Sequence, residues 1–153
     1  MNKILFSILL SLSPISELRG GIVYGIASGI DPYFAFFVCT LANLFISPLL
    51  FLFLLTLHNT LYKLKTYKKI FNVYARHVWK KAKKYEKRHK IFGYFALSMF
   101  VATPLPTTGA WTATLIAFLL GLDKKKSIIS ISIGVIISGI IVASLTSFGI
   151  KLL

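Results

Sequence analysis

Acid is what this chain has least of. Its 153 residues contain four carboxylates, Glu17, Asp31, Glu86 and Asp123, against 18 Lys or Arg, for a net charge of +14. The three histidines, His58, His77 and His89, fall in polar or basic stretches without metal-ligand spacing. Neither a metal site, a nucleophile–base pair nor a phosphate-cradling loop can be read, so the chain is not expected to be an enzyme or to hold a cofactor. A single cysteine, Cys39, excludes an internal disulfide and reads as a small packing residue.

Apolar sequence is what the chain has most of. It is 56% hydrophobic, and residues 32–59 and 127–150 carry no charged side chain. Both runs exceed the roughly 20 residues that cross a bilayer, which predicts a single, all-α integral membrane domain with transmembrane helices over 32–58 and 127–150. Twelve Lys or Arg stand between positions 63 and 90 beside one acid, and three more follow at 124–126. In so apolar a chain this charge marks the cytoplasmic face rather than a nucleic-acid surface. Within 63–90, Tyr67, Phe71, Tyr74, Val78, Ala82 and Tyr85 recur every three or four residues. That spacing predicts an amphipathic basic helix lying on anionic lipid head groups.

Residues 91–122 begin and end beside basic clusters, so both ends belong on one side. In their middle stands "TPLPTTGAW", 103–111, where two prolines and a glycine break a helix. A re-entrant helical hairpin satisfies both constraints. Residues 1–30 show the same grammar, with an arm at 4–13, a break at 14–21 and an arm at 22–30. Each hairpin is followed by an aspartate and a full span. One span separates the two units, so they are expected to be inverted repeats, an architecture of secondary transporters. The first residues also have the look of a signal peptide, but cleavage after Ser13 would remove an arm that the repeat requires.

The first break holds "SELRGG". An ionisable group at membrane depth costs roughly 2.5–3.5 kcal/mol on insertion scales, so it faces a cavity or a partner. Glu17 and Arg19, two residues apart, would point away from each other on a helix. They act on one site if the backbone unwinds at Gly20 and Gly21. The arms after the breaks, from Gly21 and near Thr108, would then add free N–H groups and positive dipole ends to Arg19, forming an anion site.

"SELRGGIVYGI" and "PLPTTGAW" resemble the two signature segments of the small multidrug export protein family, which is taken to be related to the wider DedA superfamily. Val23 and Thr107 depart from that pattern, standing where the family usually has proline and glycine. The resemblance implies paired re-entrant loops and transport, and relatives in the superfamily move polyprenyl-phosphate carriers or phospholipids. Together the two lines lead to a multi-pass cell-membrane flippase for an amphiphilic anion such as a lipid phosphate. Arg19, Thr107 and Thr108 bind the phosphate, Glu17 carries a proton, and Pro104, Pro106, Gly109 and Trp111 shape the second tip. The alternatives are a cation or multidrug exporter driven by proton exchange, and a non-transporting scaffold in which Glu17 and Arg19 peg a loop. Membrane lipids are the expected partners, and two spans with two hairpins make a thin wall, which points to a homodimer.

Overall fold

The computed structural model describes residues 2–56, 90–105 and 108–151, with positions 63, 68–69, 72–73 and 76 in isolation. Most of the expected basic helix at 63–90 lies outside the described residues, as do Pro106 and Thr107. Every regular element among the described residues is helical: α1 Lys3–Leu12, α2 Glu17–Ala27, α3 Pro32–Leu44, α4 Ile46–Thr56, α5 Lys90–Ala102, α6 Ala110–Leu119 and α7 Lys124–Lys151. Pro32–Thr56 and Lys124–Ile150, of 25 and 27 residues, are long and apolar enough to cross a membrane. The four shorter helices, of 10 to 13 residues, are not.

The first span is interrupted at Phe45, where α3 gives way to α4. Pro48 has no N–H to offer the carbonyl one turn back, and its ring crowds that carbonyl, so the helix is interrupted just before it. Along this rod Phe34, Phe37, Leu41, Phe45, Leu49 and Leu52 are exposed, while Cys39, Asn43, Ser47 and Phe51 are buried. The outward face is therefore apolar and the inward face partly polar, as expected of a helix whose solvent is lipid.

Helices α1 and α2 run antiparallel. Gly21 packs on Ser7 and Ser11, Gly25 packs on Ser7, and the Lys3 ammonium reaches Ser28 O at 2.7 Å. Small residues one turn apart on both helices let the backbones approach closely. A Cβ on Gly21 would lie 2.5 Å from Ser7 O and overlap the Ser11 hydroxyl. This corrects the expected unwinding at Gly20 and Gly21. Both glycines are helical, the break closes at residue 16, and Gly21 serves close packing.

α2 and α6 end in the same way. Gly29 and Gly121 take positive φ, 84° and 62°. The N–H of the next residue reaches back five positions, Ile30 to Gly25 O and Leu122 to Ala117 O, each at 3.0 Å. Asp31 then caps the following helix through Phe34 N, and Asp123 does so through Lys126 N, each at 3.0 Å. Both aspartates thus serve as N-caps of the spans that follow them. α5 and α6 pack on α7, with Ser98 Oγ donating to Ser130 O at 2.6 Å. α7 also packs on α2 and α3, where Gly139 meets Leu18, Phe36 and Thr40. The core centres on Leu18, Ile22, Ala113, Ala117, Ile131 and Val135.

Candidate functional site

The two breaks dock on each other, and Glu17 and Arg19 make the joint. The backbone at Glu17 has φ 51°, the one positive value among the described non-glycine residues. A left-handed conformation is costly for a side chain with a Cβ, so the surroundings must hold it. They hold it at the far break. The Glu17 carboxylate occupies the place a Cβ would take on Gly109, the N-cap of α6, and interacts with the backbone N–H of Trp111. A negative group there meets the unpaired N–H groups and positive dipole end of α6.

Arg19 goes to the opposite pole. Its Nη1 donates to Leu105 O. Its Nη2 lies 3.1 Å from Thr103 O and from Thr108 Oγ1, 3.3 Å from Thr108 O and 3.5 Å from Val101 O. These carbonyls belong to the last turn of α5 and the chain just after it, where a cation complements the dipole. The Thr108 hydroxyl also lies 2.8 Å from the carbonyls of Thr103 and Leu105, which tightens the loop around the guanidinium.

Two residues apart on one helix, the charges therefore serve two different helix ends. No hydrogen bond or ion pair within 4.0 Å joins Glu17 to Arg19. Trp111 adds a third tie, its indole N–H donating to Leu12 O at 3.2 Å at the end of α1. The structure thus brings together Glu17, Arg19, Thr108, Gly109 and Trp111. Pro104 stands in the loop between the Arg19 acceptors, while Gly20 lies against the Ser16 side chain and Gly21 against α1. The N-terminus of α6, expected to receive an anion, receives an internal one, the Glu17 carboxylate.

A second set of polar groups went unseen as a set in the sequence. Asn43 Nδ2 donates to Ser11 O at 2.8 Å, and Thr114 Oγ1 lies 3.0 Å from Ser47 Oγ and 2.6 Å from Ala110 O. These side chains link α1, α3, α4 and α6 beside the joint. Their only sequence signal was polarity inside an apolar run at helical spacing, Asn43 and Ser47 one turn apart.

Spans of this length with an apolar outer face and buried charge at a break between short helices define a helical membrane protein. A profile of the family described as "Putative small multi-drug export protein" matches residues 17–141. The chain belongs to that family. No curated protein and no solved structure matches it.

Proposed function

We propose that this chain is a membrane exporter working by exchange, with a proton and a cationic substrate alternating on Glu17. The supporting observation is the state of the two charges. Glu17 is 4% exposed and its Oε1 has no hydrogen-bond partner, so one oxygen of a buried carboxylate is free to take a proton or a cation. The Arg19 Nη groups are already donated to carbonyls of 101–108. A bidentate grip on phosphate would require breaking those bonds, so the lipid-phosphate role, and with it a DedA-type carrier, finds no support in this geometry. Export also agrees with the family description. Catalysis has no place in this reading.

The test is reconstitution in liposomes with a lipophilic fluorescent cation and an imposed pH gradient. Wild-type protein should drive the cation against its gradient, and Glu17→Gln should reduce this to background while still folding, since the amide keeps the shape. Gradient-driven transport at the wild-type rate in that variant would overturn the reading. Uptake of a polyprenyl phosphate, independent of Glu17, would favour the anion carrier.

In the same reading the two helix–break–helix units are re-entrant hairpins forming an inverted repeat, supported by the matching closures at Gly29 and Gly121 and by arms too short to span. The basic stretch 63–90 rests on cytoplasmic anionic lipid, and a second copy completes the wall. Single cysteines at Lys87 and Lys125 in a Cys39→Ser background should both react with an impermeant reagent from the cytoplasmic side alone. Reaction of position 125 from outside would eliminate the second re-entrant hairpin.

A further inference from the structure

α1 ends at Leu12 and α2 begins at Glu17, so the chain turns back within residues 13–16. The turn closes with Glu17 in the left-handed region, which something must hold. Two bonds lie inside it, Ser16 Oγ donating to Leu10 O at 2.7 Å and Glu17 N donating to Ser13 O at 3.0 Å. They tie the break to α1 and to itself, but neither sets where the Glu17 carboxylate points.

Trp111 does. Its backbone N–H meets the carboxylate, and its indole N–H donates at 3.2 Å to Leu12 O, 99 residues away in sequence. Leu12 O is one of the carbonyls that a helix leaves without an intrahelical partner at its end. Leu12 and Glu17 flank the break, so one residue grips both of its edges, one with its side chain and the other with its backbone. The two grips are covalently joined, and the turn cannot open without breaking one of them. Arg19 does the converse at the second break, donating to Val101 O and Thr103 O at one edge and to Thr108 O near the other. Each unit closes the break of the other.

Packing alone asks less of this residue. Trp111 is half-buried against the core, a place that a phenyl ring can largely fill. What a phenyl ring lacks is the donor, and a carbonyl left unpaired where there is no bulk water is costly. The end of α1 then shifts to find a partner, and Glu17 shifts with it.

We propose that Trp111 is a positioning residue for Glu17: by bonding Leu12 through its indole it closes the first break and so holds the carboxylate at the start of α6. This rests on the exchange reading of Glu17 and names the residue that sets the carboxylate in place.

The test uses the full chain in liposomes, with the lipophilic fluorescent cation and the pH gradient. Trp111→Phe should fold, with a Tm in detergent within about 5 °C of wild type, yet export about tenfold more slowly. A second measurement leaves Trp111 in place. The chain has two tryptophans, so Trp79→Phe makes Trp111 the only emitter. Its emission should shift as the pH is taken through the range that switches export, and adding Glu17→Gln should remove the shift. Arg19, the other charged group acting on that carboxylate among the described residues, is unchanged throughout. Wild-type export by folded Trp111→Phe, or the same pH response of the emission with and without Glu17→Gln, would overturn the positioning role. Should Trp111→Phe not fold, the emission decides alone. Full export by Trp111→Phe beside an inactive Glu17→Gln removes the positioning role only, whereas wild-type export by Glu17→Gln removes the exchange reading beneath it.

Discussion

Gly109→Ala is expected to abolish export and to destabilise the protein by about 2–4 kcal/mol, the range for displacing a buried charge from its partners. The backbone is not the reason. Gly109 has φ −106° and ψ −164°, extended geometry open to any residue. The reason is the Glu17 carboxylate, which occupies the position of the missing Cβ. Adding one methyl group pushes that carboxylate off the N-terminus of α6 and into an apolar surround. Loss of glycine at an N-cap gives a competing account, because alanine is a poor cap. Gly109→Ser separates the two. Serine is a good cap, so a capping effect would leave that variant near wild type, whereas the steric account has it fail like alanine. A double-mutant cycle completes the argument. In a Glu17→Ala background Gly109→Ala should lose most of its cost, giving a coupling of about 2 kcal/mol or more by chemical denaturation. Additive effects would mean that carboxylate and glycine are not in contact.

What could be read in advance divides by sequence distance. The spans, the breaks at prolines and the caps at Asp31 and Asp123 are local, set by hydropathy, by missing N–H groups and by side chains reaching three residues ahead. Each is visible in a window of a dozen residues. The start of α2 is not. Glycines at 20 and 21 mean unwound backbone when only α2 is considered. With Ser7 and Ser11 packed against it, Gly21 becomes a contact point of a regular helix. The joint is further still from local pattern, since Arg19 bonds residues 82 to 89 positions away. The sequence brings Glu17 and Arg19 to one site only if the backbone unwinds at Gly20 and Gly21, with a mutually neutralising pair as the other reading. The alternative, each charge meeting the pole of a different helix, becomes visible once the second break is brought against the first. Asn43 was legible as a polar residue in a span, but its unpaired Oδ1 depends on where α1 passes.

Arg19→Gln should be the most destabilising of the charge-neutralising substitutions, by about 3–5 kcal/mol, because it strips the donors from the carbonyls at the end of α5 and in the loop after it. Arg19→Lys should recover part of this. An ammonium restores the charge at the end of α5 but cannot spread its donors as the planar guanidinium does over Thr103, Leu105 and Thr108. The double variant Glu17→Gln with Arg19→Gln then decides what the two charges are to each other. Were they a structural ion pair, removing both would largely restore the fold that either single change damages. They are instead held by opposite ends of a broken segment, Glu17 at the start of α6 and Arg19 at the end of α5. Neutralising Glu17 does nothing for the carbonyls that Arg19 leaves behind. The expected result is a double variant no more stable than Arg19→Gln by urea or thermal unfolding in detergent, and inactive in liposomes. Recovery of wild-type stability in the double variant would show that the pair acts on itself, and that its docking to the second break is incidental to the fold.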